Sequence, residues 1–298
     1  MIDLTSTKEM IDIYYKLSQK ITELKSNEIL EFTIKNDEID YKAWLDLSHI
    51  LFSKMLTPII KDDDSIVMSF KKLNKKESFH EDINDVEEKY GIDSKFSTIN
   101  KNNQPSFLVH YLKALENVKV DTRMRILNLG VNSGEEYEIV KKYSKNFENL
   151  ELIGIDYCSS VIQEAKKNFD DKNISFLVGD INNLEELNLG KFDLIISIGT
   201  LQSTNIDFHK AFMNIVQNYL NLDGAMILGF PNCRWIDGEM IYGTMAKNYN
   251  FSELSLVFKD VNYCKKYLQQ KKFRVTITGK DYIFLTATSI YKDSRTYN

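Results

Sequence analysis

The amino-acid sequence predicts an α/β protein, in which a helical N-terminal region precedes a doubly wound, mostly parallel seven-stranded sheet with an antiparallel last strand. Three observations lead to this prediction. Segments of helical period occur before residue 104, short apolar runs alternate with helical segments from about residue 120, and a hairpin signal lies near the end of the chain. We therefore predict two domains, residues 1–104 and residues 105–298.

The N-terminal region is predicted to be helical because its apolar residues recur at intervals of three and four. In the first segment these residues are Met10, Ile13, Tyr14, Leu17 and Ile21. The same spacing recurs in residues 41–56 and stops before a proline. Residues 71–103 are polar and charged, and we expect loops and short helices there. A third helix is expected from residue 105, since proline favours the first helical position.

Five apolar runs after residue 120 are typical of buried parallel strands. They are RILNLG (125–130), ELIGID (151–156), ISFLVGD (174–180), FDLIISIG (192–199) and AMILGF (225–230). Segments of helical period separate most of them, which indicates right-handed crossovers and a doubly wound sheet. A last helix over about 252–270 precedes FRVTIT and YIFLTATSIY, two strands joined by a Gly-Lys-Asp turn that favours a hairpin.

Composition excludes several classes of protein. The net charge of −5 gives no overall basic character that would point to a polyanion partner. The three cysteines are widely spaced, so neither a metal centre nor a disulfide framework is expected. No apolar run reaches 18 residues and the N-terminus lacks a cleavable signal pattern, so we expect a cytoplasmic protein without a membrane segment.

A glycine-containing loop joins the first strand of the sheet to the next helix, in the stretch ILNLGVNSGEEYEIV. Gly130 and Gly134 allow a tight turn and a close approach to a ligand, and Asn132 tolerates positive φ. A dinucleotide fingerprint would need glycine in place of Asn132 and Glu135. Glutamates at 135 and 136 would also repel a pyrophosphate, and no Walker lysine follows. The loop therefore matches neither motif, and taken alone it is as well explained by a plain glycine turn between a strand and a helix.

The spacing of Gly130, Asn132 and Gly134 resembles GxGxG, motif I of the class I S-adenosylmethionine-dependent methyltransferases, with asparagine in the middle position. The resemblance covers about residues 105–291 and implies a Rossmann-like fold with S-adenosyl-L-methionine as cofactor. Asp156 ends the second strand, where an acid can accept hydrogen bonds from two ribose hydroxyls. The neighbouring Tyr157 would belong to the same cofactor site.

Two further strand ends extend the resemblance. In the family, an acid at the end of the third strand accepts a hydrogen bond from the adenine amino group, and the next backbone N–H meets the ring. Asp180 and Ile181 occupy these positions. The end of the fourth strand lines the methionine arm of the cofactor in the family, and Ile198 and Gly199 lie there.

Two residues depart from the family pattern. Asn128 stands where the family often has an acid that interacts with the amino group of the cofactor, and Asn132 replaces the middle glycine. The carbonyl oxygen of Asn128 can still accept a hydrogen bond, but the residue carries no charge. Both changes could weaken binding of the cofactor or suit a modified one.

Candidate catalytic residues lie in the long connection after the fifth strand, since long connections often serve binding or gating. Arg234 could hold a carboxylate or phosphate of the substrate, and Glu239 or Tyr242 could accept a proton. A packing role in the loop is an equal alternative for each residue of this segment taken alone. The N-terminal region is expected to act as a lid that provides substrate selectivity.

Three hypotheses for function remain open on the sequence alone. The leading one is methyl transfer to a small or medium-sized soluble acceptor. The second is methylation of RNA, such as a tRNA nucleoside, since KKLNKK (71–76) and CKKYLQQKKFR (264–274) are local basic clusters. The third is a non-catalytic scaffold that binds S-adenosylmethionine. The oligomeric state does not follow from the sequence.

Overall fold

A computed structural model of the chain describes residues 1–36, 40–62, 64–75, 99–203, 205–244 and 252–291. Within these residues the helices and strands are numbered in chain order. They are β1 (Ile2–Asp3), α1 (Met10–Glu23), β2 (Ile29–Lys35), α2 (Tyr41–Ile50), β3 (Ser53–Met55), β4 (Ile59–Ile60), β5 (Ser65–Lys72), α3 (Pro105–Asn117), β6 (Arg125–Leu129), α4 (Glu135–Tyr143), β7 (Glu151–Asp156), α5 (Ser159–Asn168), β8 (Ile174–Val178), β9 (Phe192–Ile198), α6 (Phe208–Asn214), β10 (Leu220–Pro231), β11 (Cys233–Ile236), β12 (Glu239–Tyr242), α7 (Leu254–Gln270), β13 (Phe273–Gly279) and β14 (Tyr282–Ser289).

Contacts divide the described residues into two units. The first unit contains residues 1–75 and also residues 234–242, which carry most of the β11–β12 hairpin. The second unit contains residues 99–233 and 243–291. The backbone N–H of Gly243 donates to the carbonyl of Asn232 at 2.7 Å, so the chain leaves and re-enters the second unit at adjacent points.

The first unit corrects the prediction of a helical N-terminal region. Helices α1 and α2 form where the apolar spacing predicts them, but a five-stranded sheet in the order β1-β2-β5-β3, with β4 also on β5, provides much of the unit. Strand β2 is antiparallel to β5 over its full length. The second predicted helix ends at Ile50, and residues 53–55 form β3. Most of the polar stretch 71–103, from residue 76 to 98, lies outside the described residues.

Strand β2 explains why the sequence analysis missed this sheet. Only Phe32, Thr33 and Ile34 of this strand are buried, and charged residues stand on both sides of them. The sequence of the strand therefore contains no continuous apolar run. The core that it forms with the helices contains Ile13, Leu17 and Ile21, whereas Met10 and Tyr14 from the predicted apolar face are exposed. The buried face of α1 therefore contains fewer residues than the sequence spacing predicts.

The second unit confirms the predicted sheet. Its strand order is β13-β14-β10-β9-β6-β7-β8, and the strands from β6 to β10 run parallel to their neighbours. Strand β14 runs antiparallel to both β10 and β13, as the hairpin signal at residues 279–281 predicts. Since β6 to β10 are parallel, their carboxyl ends meet at one edge of the sheet, where the predicted cofactor residues lie.

The core of this unit forms because the central strands are apolar on both faces. Leu127, Leu129, Ile153 and Ile155 are at most 8% exposed and lie in one buried cluster with residues of α6 and α7. Helix α7 buries Val257, Val261, Cys264 and Leu268 against the sheet. The rigid strands therefore fix the positions of the loops at their carboxyl ends.

Two classes of feature are not found in the described part of the chain. No helix there combines the length and the apolar character that crossing a lipid bilayer requires. No group of three or more histidine, cysteine, aspartate or glutamate side chains among the same residues is arranged to hold a metal ion.

Asp193 holds the start of the sheet and provides a test of the fold. Its Oδ2 accepts hydrogen bonds from the backbone N–H groups of Met124 and Arg125 at 3.2 and 3.1 Å, and its Oδ1 accepts from the Asn221 amide at 2.8 Å. We expect Asp193→Ala to lower the free energy of unfolding by about 1–3 kcal/mol, because these donors lose their acceptor.

The measurement is urea unfolding monitored by far-ultraviolet circular dichroism. Tryptophan fluorescence is not used, because both tryptophans belong to the first unit and Asp193 to the second. Asp170→Ala, at an exposed position of the same unit, is the control and should change stability by less than about 0.5 kcal/mol. An equal loss in both variants would contradict the role of Asp193.

Candidate functional site

The glycine loop after β6 is fastened to the end of β7. The backbone N–H groups of Gly130 and Val131 both donate to the carbonyl of Ile155, at 2.8 and 3.0 Å. The next N–H, of Asn132, donates to Oδ2 of Asp156 at 3.0 Å. Three successive donors of the loop therefore bind two successive residues of the neighbouring strand, which fixes the shape of the loop relative to the Asp156 carboxylate.

The loop needs residues that accept positive φ. Gly130, Asn132 and Gly134 have φ of 75°, 47° and 94°. A Cβ on Gly130 would lie 2.0 Å from Oγ1 of Thr200, and one on Gly134 would lie 2.5 Å from the ring of Phe169. The two glycines are thus required by space as well as by conformation, whereas Asn132 fits because asparagine tolerates the left-handed region.

Asp156 combines burial with unused hydrogen-bonding capacity. Its Oδ1 accepts from the N–H of Cys158 at 3.1 Å, while Oδ2 accepts from Asn132. Burial raises the pKa of the Asp156 carboxyl, and the N–H groups of Cys158 and Asn132 oppose this shift. The N–H of Tyr157 also approaches the carboxylate. Since a carboxylate has four lone pairs, these three N–H groups leave capacity to accept from hydroxyl groups of a ligand.

The other predicted strand ends lie along the same edge. Oδ1 of Asp180 accepts from the backbone N–H and the side-chain amide of Asn182 at 2.8 and 2.9 Å, so Asp180 caps the 3₁₀ turn that follows. Ile181 is buried, and Tyr157 is half-exposed beside Asp156. The roles of these three residues in binding the cofactor stay predictions.

The end of β9 contacts the loop directly. Ile198 is buried, and the N–H of Gly199 donates to the carbonyl of Gly229 in β10 at 2.8 Å. Thr200 then places its side chain against Gly130. The carboxyl ends of β6, β7 and β9 are therefore joined by close contacts around the loop.

A buried group of polar residues at the start of α4 was not predicted from the sequence. Lys101 donates to Oε1 of Glu136 at 2.8 Å, and both residues are almost fully buried, at 6% and 1% exposure. The amide of Asn128 lies 3.4 Å from Oε2 of the same carboxylate. Burial lowers the pKa of Lys101, but the charges of Glu136, Tyr282 and Glu135 and the hydrogen bond to Glu136 together outweigh burial and raise the net pKa above its usual range.

Glu135 and Asn102 extend this group. The side-chain amide of Asn102 donates to the backbone carbonyl of Glu135 at 2.8 Å. Burial raises the pKa of the Glu135 carboxyl to about 7, with Lys101 opposing and Glu136 adding to the shift. The sequence analysis considered Glu135 only as an obstacle to a pyrophosphate. Lys101 and Asn102 lie 27 or more positions before Gly130, and no local pattern places them beside it.

The three predicted catalytic residues belong to the first unit. Glu239 accepts from Lys54 at 3.0 Å and lies 3.4 Å from Nε2 of His49. Burial raises the pKa of the Glu239 carboxyl, but the hydrogen bonds from His49 and Lys54 outweigh it and lower the net pKa. Arg234 is buried with its guanidinium 5.4 Å from the centre of the Phe52 ring, whereas Tyr242 is 53% exposed. Their catalytic roles stay predictions.

Comparisons with known proteins bear on the second unit. A family model described as a methyltransferase domain matches residues 120–279, which is more than half of the chain and includes the glycine loop and all four strand ends. The malonyl-[acyl-carrier protein] O-methyltransferase of Bacillus anthracis is 32% identical over 108 residues, or 36% of this chain. The matched segment spans only 37% of the length of that relative.

Solved structures of methyltransferases are also similar to this chain. A TehB-like SAM-dependent methyltransferase from Corynebacterium glutamicum is 17% identical with a TM-score of 0.39, and the match covers 60% of this chain and 86% of that one. The plantazolicin methyltransferase BpumL, in complex with a monoazolic desmethylPZN analog and SAH, is 13% identical with a TM-score of 0.46. That match covers 64% of this chain and 87% of the other.

Comparing alanine substitutions at Gly130 and Gly190 separates the effect of backbone strain from that of a steric clash, because only the Cβ at Gly130 would overlap another side chain. We expect Gly130→Ala to abolish nucleoside binding and to lower stability by more than the roughly 1–2 kcal/mol of a strained residue, because its Cβ would meet Thr200. Gly190→Ala is the control, since Gly190 has φ of 72° and the nearest atom to its Cβ would be the end of the Arg125 side chain at 3.2 Å.

The two variants are compared by thermal unfolding and by equilibrium binding of S-adenosylhomocysteine. Gly190→Ala should show the strain alone and keep its affinity. If Gly130→Ala bound this nucleoside as tightly as the control, the required close approach at the loop would be contradicted.

Proposed function

Since the chain belongs to the methyltransferase-domain family and is an S-adenosylmethionine-dependent methyltransferase, we propose that it methylates a small or medium-sized soluble acceptor. The observation that carries the proposal is the Asp156 carboxylate at the end of β7, held against a glycine loop that is fastened to the same strand. The residues fit the cofactor, because this carboxylate keeps capacity to accept from ribose hydroxyls and buried acceptors lie at the start of α4.

The proposed binding mode follows the strand ends. Asp156 holds the ribose, with Tyr157 beside it, and the loop residues Gly130, Asn132 and Gly134 allow the cofactor to approach the backbone. Asp180 and the N–H of Ile181 meet the adenine. Ile198 and Gly199 line the methionine arm, and Asn128 contacts the amino-acid end.

The sulfonium of the bound cofactor supplies an electrophilic methyl group, so the protein has to position the acceptor and exclude water. A carboxylate acceptor would need no general base, whereas a hydroxyl or an ammonium would need one. The Bacillus anthracis relative acts on malonyl-[acyl-carrier protein] as an O-methyltransferase. This relative supports an oxygen atom as the acceptor.

Among the predicted catalytic residues, Tyr242 is the candidate that we retain for proton transfer, because its side chain is exposed. Glu239 has a lowered pKa and two basic neighbours, which favours a structural ion pair in the first unit. Arg234 is proposed as a group that binds an anionic substrate only if its contact with Phe52 opens.

RNA is less well supported as an acceptor. Arg274 lies near the start of β13, and Lys271 and Lys272 come just before this strand. Arg274 pairs with Thr288 of β14, and Thr288 also pairs with Ala225 near the amino end of β10. This basic cluster is therefore at the opposite edge of the sheet from the cofactor residues. In the other cluster, the ammonium of Lys72 binds three carbonyls at the end of α1.

Asp156→Ala tests how the cofactor is held. We expect the affinity for S-adenosylhomocysteine to fall by about 1–3 kcal/mol, the value for hydrogen bonds to a charged group, in a variant that stays folded. Isothermal titration calorimetry measures the loss, and Asp193→Ala is the control because it removes a carboxylate at the other edge of the sheet. Unchanged affinity in folded Asp156→Ala, or no binding by the parent chain, would contradict the proposed binding mode.

The acceptor class is tested by following S-adenosylhomocysteine formation with fractionated extracts. The fraction of small metabolites should support turnover, and the RNA fraction should not. Turnover with RNA alone, which falls steeply as salt is added, would replace the proposed acceptor by a nucleic acid.

A further inference from the structure

Three buried oxygen atoms at the start of α4 have no hydrogen-bond partner among the described residues. They are Oδ1 of Asn102, Oδ1 of Asn128 and Oε2 of Glu135. All three are acceptors, and buried acceptors without donors are costly. They belong to one connected group, because Asn102 binds the backbone of Glu135 while Asn128 and Lys101 both contact the adjacent Glu136.

The orientation of the two amides is fixed by their partners. The Asn102 amide faces the backbone carbonyl of Glu135, and the Asn128 amide faces the Glu136 carboxylate. Since both partners can only accept, the nitrogen of each amide must point toward them and the oxygen must point elsewhere. The group therefore presents acceptors, which a hydrogen-bond donor would complement.

The charges of the group are unequal. Glu136 is neutralised by Lys101 at 2.8 Å, whereas no salt bridge of Glu135 is formed within the described residues. Asn128, which lies beside Glu136, carries no charge. Ionised Glu135 would give the group a net negative charge, which attracts a cation.

We propose that Asn102, Asn128 and Glu135 form a seat for the α-ammonium group of the cofactor, in which Glu135 supplies the charge that Asn128 lacks. An ammonium has three N–H donors, which matches the three acceptors. This inference rests on the proposed function, since it assigns new residues to the same site. Lys101 and Glu136 are positioning residues, which hold the amide of Asn128 and the start of α4.

The electrostatics of Glu135 support this seat. Its carboxyl has a pKa of about 7 in the ligand-free chain, with Lys101 facing it from the segment before α3 and Glu136 and Glu138 facing it from α4. A bound ammonium favours the ionised carboxylate and lowers this pKa. Binding should therefore release a proton when the pH is below about 7, and the release should vanish at higher pH.

The direct test compares two ligands, S-adenosylhomocysteine and its deaminated analogue, in which hydrogen replaces the amino group. We expect Glu135→Gln to weaken binding of S-adenosylhomocysteine by about 10- to 100-fold, as for the loss of a hydrogen bond to a charged group, and to leave the analogue unchanged. Glu138→Gln is the matched control, because it removes one negative charge from the same helix turn and should spare both ligands.

An equal loss for both ligands, or no loss for either, would overturn the seat. An error in the assignment of this seat can be distinguished from an error in the proposed function. If the parent chain binds S-adenosylhomocysteine and Asp156→Ala weakens that binding, only the assignment of Glu135 falls. If the parent chain does not bind it at all, the cofactor site itself falls, and the seat with it.

A second measurement needs no variant and so does not depend on folding of Glu135→Gln. Calorimetry of the parent chain in buffers of different ionisation enthalpy gives the number of protons released on binding. Binding of S-adenosylhomocysteine should release more protons at pH 6 than at pH 8. At pH 6, binding of the deaminated analogue should release fewer protons than binding of S-adenosylhomocysteine. The same release for both ligands would overturn the seat, because Asp156 would then account for it.

Discussion

The attachment of the glycine loop to the end of β7 determines the shape of the candidate site. Three successive N–H groups of the loop find acceptors on Ile155 and Asp156, and the Asp156 carboxylate is itself one of them. The same side chain therefore stabilises the loop and is the acceptor that we propose for a ribose. Because Gly130 also lies against Thr200 at the end of β9, a change in the loop is transmitted to three strand ends at once.

The second feature of the site is a group of buried charges beside that loop. Burying Lys101 and Glu136 is costly, and their contact at 2.8 Å offsets part of the cost. Three acceptor oxygens, one of them on Glu135, have no hydrogen-bond partner among the described residues. Unsatisfied groups of this kind are expected where a ligand completes the hydrogen bonds, and we propose that the amino end of the cofactor does so here.

The sequence predicts the second unit well because its strands are continuous apolar runs and its loop carries residues with special backbone requirements. Asp156 and Gly130 could be placed at strand ends from this pattern alone. Lys101 and Asn102 could not, since their contacts with α4 arise only when distant segments pack together. The strands of the first unit were missed because β2 is partly exposed and carries polar residues, so it is not a continuous apolar run.

The β11–β12 hairpin shows the limit of arguing from position in the chain. A long connection after the fifth strand is a reasonable place for catalytic residues, yet Arg234 and Glu239 make their contacts with Phe52, His49 and Lys54 of the first unit. The insertion is compatible with the parent sheet because the chain departs and returns at neighbouring residues, Asn232 and Gly243. Position along the sequence thus predicted a long connection but neither the hairpin that it forms nor the residues that the hairpin contacts.

A crystal structure with S-adenosylhomocysteine bound tests the central claim most directly. Both ribose hydroxyls should lie about 2.5–3.0 Å from the two carboxylate oxygens of Asp156, the range of hydrogen bonds between oxygen atoms. A nucleoside bound elsewhere, with the Asp156 carboxylate contacting only the N–H groups of Asn132 and Cys158, would contradict the account.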